Sequence, residues 1–151
     1  IRAVVLRLGN PYGERQRVAT AQGAVTVFVH RALRGDCIEI WGDGTVTRDY
    51  LYIGDAAQAF VQAVSYAGIE RVFNIGSGRG TTLNELLETI GRELNVEIAR
   101  RYLPPRPFDV KVNVLDVGLA CRELGWFPSC SLADGIAKTA AWMRSQSEAP
   151  K

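Results

Sequence analysis

Histidine occurs once in this chain of 151 residues, at position 30, methionine once and cysteine three times. One histidine cannot build a histidine-based triad or a metal cluster, and within a helical pattern His30 reads as structural or surface. Cys37, Cys121 and Cys130 are odd in number and lack paired spacing, which excludes a disulfide framework and argues for idle thiols in a reducing compartment. No apolar run approaches the roughly 20 residues that cross a bilayer, and no charged-then-apolar signal segment opens the chain. Charge of one sign is lacking as well: 18 basic against 16 acidic residues leave a net +2, too little for a nucleic-acid-binding face. The expectation is a soluble, cytoplasmic protein with neither nucleic acid nor membrane as partner. No Tyr-x-x-x-Lys occurs, and no Gly-x-x-Gly-x-x-Gly follows a strand. The chain therefore holds no catalytic engine of its own.

What is present is enough apolar residue, 47 % of the total, to fill the core of one ordinary domain. Residues 1–8 are near-continuously apolar, as in a parallel-sheet strand covered on both faces, and a chain that starts there reads as the later part of a longer one. A turn-rich stretch, 9–22, precedes a helix on which Val25, Phe28, Val29, Ala32 and Leu33 share a face, with Gly35 as its stop. Residues 37–41 alternate as a short strand, Gly42-Asp43-Gly44 turns the chain, and 45–53 runs extended. Asp55 is the expected N-cap of the next helix, with Ala56, Ala59, Phe60, Ala63 and Val64 on one face.

A second apolar strand, 71–75, leads through Gly76-Ser-Gly-Arg-Gly80 into Thr82-Leu-Asn-Glu85, a capping box in form, and a helix carrying Leu83, Leu86, Leu87, Ile90 and Leu94. Residues 96–102 read as a strand, prolines 104, 105 and 107 forbid regular structure beyond it, and 111–115 reads as one more extended piece. Asp116 caps a helix stopped by Gly125, and a last helix runs from near Ser131 to Ser145.

Three stretches suggest chemistry. The glycine-rich turn 76–80 could offer N–H groups to phosphate, but it lacks the Gly-Lys-Ser/Thr of a P-loop and reads first as a plain strand-to-helix turn. Arg48 stands on an otherwise apolar, aromatic strand, so it needs either a ligand or a salt bridge to Asp43, Asp49 or Asp55. Arg106 and Asp109 sit in a proline-stiffened loop, where a fork donor and an acceptor are held at low entropic cost.

Five motifs in register decide between these readings: R-L-G-N-P-Y-G from Arg7, I-W-G-D-G-T-V-T-R-D-Y-L-Y-I-G-D from Ile40, F-N-I-G-S-G from Phe73, P-x-R-P-F-D from Pro104 and E-L-G-W-x-P from Glu123. Together they resemble the carboxyl-terminal part of the NAD-dependent nucleotide-sugar epimerases and dehydratases. These are the extended short-chain dehydrogenase/reductases, of which UDP-glucose 4-epimerase is the familiar member. The resemblance spans essentially the whole chain. It implies an α/β fold, the last strands of a Rossmann-type parallel sheet plus the small α/β substrate-binding lobe. Residues 1–13 and 71–95 would be the Rossmann remnant, 14–70 and 96–146 the nucleotide-sugar-binding lobe, and 147–151 a frayed tail. The family's glycine fingerprint and its Ser/Thr and Tyr-x-x-x-Lys would precede residue 1.

By the same resemblance Asn10 matches a residue at the substrate's diphosphate, Pro11 the position beside the nicotinamide of NAD, and Arg48 and Arg106 the two diphosphate-binding arginines. Asp109 matches the carboxylate on the ribose hydroxyls, Trp41 the aromatic lining the base pocket, and Val25 a neighbour of that pocket. Phe108 stands where the family often has glycine, and Gly9 where the 4-epimerase proper has a bulkier residue. The reading is the nucleotide-sugar-binding portion of an NAD-dependent epimerase or dehydratase, inactive alone. The alternative is a non-catalytic nucleotide-sugar-binding module. An uncovered parallel sheet edge would favour self-association.

Overall fold

The computed structural model describes residues 3–16 and 23–147. The first two positions of the expected strand 1–8, positions 17–22 of the turn-rich stretch and 148–151 of the tail lie outside the described residues. The chain runs β1 (Val5–Leu8), β2 (Asn10–Tyr12), α1 (Ala24–Arg34), β3 (Ile38–Trp41), β4 (Thr47–Arg48), β5 (Tyr50–Tyr52), α2 (Ile53–Val64), β6 (Val72–Ile75), β7 (Thr81–Thr82), α3 (Leu83–Leu94), β8 (Arg100–Leu103), β9 (Val112–Asn113), α4 (Gly118–Leu124) and α5 (Leu132–Ser147). Among the described residues no helix is long and apolar enough to cross a membrane.

Pairing is mostly parallel. β1 lies beside β6 with Val5 opposite Val72, β2 beside β5 with Asn10 opposite Tyr50, and β3 beside β8 with Ile40 opposite Tyr102. The short β4 sits between β7, antiparallel, and β9, parallel. Parallel neighbours need crossover connections, and here helices supply them.

Two apolar cores follow. One gathers Val25, Phe28 and Val29 of α1, Ile38 and Ile40 of β3, Leu86, Leu87 and Ile90 of α3, and Ile136, Ala140 and Met143 of α5, together with Tyr12 and Tyr50. The other joins Leu51, Ala56 and Ala59 to Phe73 and Ile75 of β6 and to Ala120 and Trp126. Packing thus groups the helices across the expected division: α3, expected with 71–95, shares the core of α1 and α5, whereas α2, expected with 14–70, shares that of β6.

Local signals hold where they are strong. Gly35 and Gly125 close α1 and α4 in the left-handed conformation, φ +70° and +61°, which costs glycine nothing. Thr82 and Glu85 form the reciprocal capping box at the start of α3.

Several expectations are corrected. Asp55 is not the N-cap of α2, a place held by Tyr52 with no side-chain bond. Its carboxylate instead accepts from Ser129 N–H at 3.1 Å, Ser129 Oγ at 2.7 Å and Cys130 N–H at 2.9 Å, a better set of donors than one helix end offers. The apolar face of α2 is only partly covered: Ala56 and Ala59 are buried, but Phe60 is 52 % and Val64 88 % exposed. β1 alternates between exposed and half-buried rather than being covered on both faces. The strand expected over 96–102 begins at Arg100, because its partner β3 begins at Ile38, whose N–H donates to Ala99 O. Finally, α5 continues to Ser147, past its expected end.

The run 45–53 does not form one strand. It breaks at Asp49, and the two halves join different sheets.

Candidate functional site

The site is built at the carboxyl ends of short strands. β3 ends on Trp41, whose side chain stays 41 % exposed, and the chain then turns through Gly42-Asp43-Gly44. Both glycines take φ +79°, as a turn of this tightness requires. Thr45 donates from N–H (2.9 Å) and Oγ1 (2.6 Å) to Asp43 Oδ1, and these bonds hold the Asp43 carboxyl below the usual carboxylate range, the hydroxyl bond contributing most. The turn delivers the chain to β4 and Arg48.

Opposite lies the proline-rich loop after β8. Arg106 places its guanidinium carbon 4.2 Å from the Trp41 ring centroid, a cation–π stack. Asp109 N–H donates to Arg106 O at 3.3 Å and closes the loop. Arg48 reaches the same loop: its Nη1 donates to Val110 O at 2.6 Å and to Thr47 O at 2.9 Å. Among the described residues neither Arg48 nor Arg106 is in an ion pair, so the salt bridge considered for Arg48 does not form.

Two adjoining cavities share Trp41, Val46, Arg106 and Asp109. The larger, about 700 Å³, adds Tyr102, Leu103, Pro105 and Lys111. The smaller, about 370 Å³, adds Val27, Phe28, Arg31, Glu39, Arg48 and Leu83. The Trp41 ring, the guanidinium groups of Arg48 and Arg106, neither of them ion-paired, and the Asp109 carboxylate thus converge from β3, β4 and one loop, with Asp43 and Glu39 adding carboxylates to the lining. Such a set can grip a dianion, stack a planar ring and accept from a diol.

The other expected residues lie elsewhere. Asn10 does not line either cavity; its N–H and Nδ2 both donate to Asp49 O, at 2.7 and 3.2 Å. Pro11 pairs with Leu51 and lines a separate cavity of about 250 Å³ with Tyr12, Gly13, Glu14 and Ile53. Val25 is 1 % exposed and belongs to the core; from α1 it is Val27, Phe28 and Arg31 that face the cleft. Arg31, whose Nη1 donates to Cys37 O at 3.2 Å, was not singled out in the sequence. The signal was available: Arg31 follows Val27 and Phe28 by one helical turn, so all three share a stripe.

The glycine-rich turn 76–80 is a turn around a carboxylate of its own chain. Ser77 N–H and Gly78 N–H donate to Asp49, at 2.6 and 3.3 Å. Among the described residues no cluster of His, Cys, Asp and Glu could hold a metal ion.

Comparison with known proteins gives one picture. Residues 1–76 match the NAD dependent epimerase/dehydratase family. The chain is 40 % identical over 137 residues to dTDP-4-dehydro-6-deoxyglucose reductase of Escherichia coli, covering 91 % of this chain and 43 % of that one. Among solved structures, UDP-glucose 4-epimerase of Thermotoga maritima, crystallised with UDP-glucose, superposes with a TM-score of 0.91 at 40 % identity, covering 96 % of this chain and 47 % of that one. UDP-glucuronic acid 4-epimerase of Bacillus cereus, in complex with UDP-glucuronic acid and NAD, gives 0.87 at 27 % identity over 97 % and 46 %. The chain spans less than half the length of these relatives. Its mixed α/β fold with parallel strands is that of the extended short-chain dehydrogenase/reductases.

Proposed function

The chain belongs to the NAD dependent epimerase/dehydratase family, and we propose that it is the part of such an enzyme that grips the nucleoside diphosphate of a sugar nucleotide. One observation carries this reading: Trp41, Arg48, Arg106 and Asp109 meet at one cleft although they come from separate segments of the chain.

The chemistry follows from the groups. Arg48 and Arg106 neutralise a diphosphate of about two negative charges through charge-assisted hydrogen bonds. Trp41 supports the base, and Asp109 accepts from the ribose hydroxyls. Arg106 is already held against Trp41, so part of the ordering cost of binding is met in the free protein. Tight binding of the unreactive nucleotide is what fixes the sugar for reaction.

NAD is the cofactor of this family, and when bound it supplies a hydride acceptor and donor. The residues here fit one edge of it. The cavity beside Pro11, about 250 Å³ and walled by Tyr12 and Ile53, has room for a nicotinamide ring and not for a dinucleotide. Pro11 would bound that ring, and the remainder would be held by residues outside this chain. In this reading β1 and β6 with α2 and α4 extend the cofactor-binding half, and the core of α1, α3 and α5 carries the nucleotide cleft.

Calorimetric titration with UDP, dTDP, GDP and NAD tests the reading. It expects one nucleoside diphosphate to bind with one-to-one stoichiometry and the affinity to fall in Arg48→Ala and Arg106→Ala; no binding by any of the four to folded protein would sink it.

A further inference from the structure

Asp49 is 1 % exposed and sits where the chain passes from the sheet of β4 to the sheet of β5. All of its acceptor capacity is used. Oδ1 accepts from Ser77 N–H and Ser77 Oγ, both at 2.6 Å, and Oδ2 from Gly78 N–H at 3.3 Å and Leu115 N–H at 3.2 Å. Its main-chain oxygen takes both the N–H and the Nδ2 of Asn10. Six donors from three segments therefore converge on one residue.

We propose that Asp49 is a positioning residue for the nucleotide cleft, fixing the placement of Arg48 by locking β4 between β7 and β9. The proposal rests on the reading of the cleft given above.

The connectivity carries it. Ser77 and Gly78 lead into β7, which pairs with β4 through Thr81 opposite Arg48. Leu115 follows β9, which pairs with β4 through Asn113 opposite Arg48 and continues from the loop that bears Arg106 and Asp109. The carboxylate thus tethers both neighbours of the strand that presents Arg48. Its carbonyl accepts from Asn10 at the start of β2, which ties that strand to the same residue. A buried carboxylate is costly to desolvate unless donors saturate it, and here neutral donors do so without a cation. Neutral amides and a hydroxyl leave the neighbouring Arg48 free of an acid partner.

The fit is close on both sides. A Cβ at Gly76 would collide with Asp49 Oδ2, and one at Gly9 would stand 3.0 Å from Asp49 O. Two glycines in the first and third family-like motifs therefore make room for this residue.

The test uses the full chain, with UDP and uridine as probes and circular dichroism as the folding check. In Asp49→Asn one oxygen becomes an NH2 that faces N–H donors, so the tether is broken with little change of volume. The expected result is UDP binding about tenfold weaker, the loss of one charge-assisted hydrogen bond, with uridine binding unchanged. In the double variant Asp49→Asn with Arg48→Ala, UDP should bind no more weakly than in Arg48→Ala alone, because Asp49 acts through Arg48. Equal weakening of UDP and uridine, or additive losses in the double variant, would show a merely structural role and overturn the proposal. Should Asp49→Asn fail to fold, Ser77→Ala removes one donor and keeps the carboxylate; it should weaken UDP selectively, and unaltered UDP affinity would count against the tether. Wild-type protein that binds no UDP, dTDP or GDP would remove the cleft reading itself, whereas wild-type binding with an indifferent Asp49→Asn would remove this proposal alone.

Discussion

Arg106 lies over the face of Trp41, guanidinium carbon 4.2 Å from the ring centroid, although the two residues sit on different elements. The stack joins the platform expected to meet a base to the cation expected to meet a phosphate. Trp41→Ala should weaken nucleoside diphosphate binding by about 1–3 kcal/mol, the usual worth of a base stacked on an aromatic ring, while Trp41→Phe keeps most of it. Titration of the two variants beside wild type checks this. Equal affinity in Trp41→Ala would place the base elsewhere.

Tyr50 is buried in the core, and its hydroxyl has no hydrogen-bond partner among the described residues. Burial pushes its pKa from 10 up to about 12. A raised pKa means that the folded state holds the proton more tightly. The associated stability is complete below pH 10 and is lost as pH rises towards about 12. Tyr50→Phe removes the unsatisfied group, so it should stabilise the protein by about 1 kcal/mol at neutral pH and move alkaline unfolding upward. Denaturant melts at pH 7 and pH 11 decide it; a destabilised Tyr50→Phe would reveal a partner for the hydroxyl.

Glu85 Oε2 accepts from Thr82 N–H at 2.8 Å and Thr82 Oγ1 at 2.9 Å, and the main-chain bond, with the hydroxyl bond second, lowers its pKa below 4.5. Stability from this lowered pKa is present above pH 4.5 and lost as pH falls through the folded value. Glu85→Gln should therefore flatten the acid limb of the stability profile. Thermal melts from pH 6 to pH 3 supply the check, and an unchanged slope would rule the capping box out as its source.

Among the described residues β1 pairs with β6 on one side only, and an open parallel edge is a template for another strand. α2 likewise exposes Phe60, Val61 and Val64. We expect the isolated chain to associate with itself at high concentration, measured by sedimentation, and a charged substitution such as Val61→Glu to reduce it. A single monomeric species across the concentration range would contradict this.

How much of this was legible in sequence depended on distance along the chain. The capping box of Thr82 and Glu85 and the glycine stops at 35 and 125 are local, complete within four residues, and the structure has them as expected. The roles of Asp49 and Asp55 are not legible for the opposite reason. Their donors lie 28 to 75 residues away, where no local rule reaches, and locally Asp55 reads as the cap of the nearest helix. Arg48, Arg106 and Asp109 stand out locally as charges on an apolar strand and in a stiffened loop, but only the motifs in register give them and Trp41 a common role. Arg31 and Phe28 escaped because a cleft wall formed by a helix looks, in sequence, like the rest of an amphipathic face. The exposed side of α2 escaped similarly: apolar periodicity marks a face to be covered without saying whether this chain covers it.

The central claim is that Arg48 and Arg106 close on one diphosphate. A crystal structure of the chain with the nucleoside diphosphate that binds most tightly is its most direct test. We predict phosphate oxygens within hydrogen-bond distance, about 2.7–3.2 Å, of both guanidinium groups, with the base against Trp41. An ordered nucleotide touching neither arginine, with Arg48 still held only by Val110 O and Thr47 O, would contradict it.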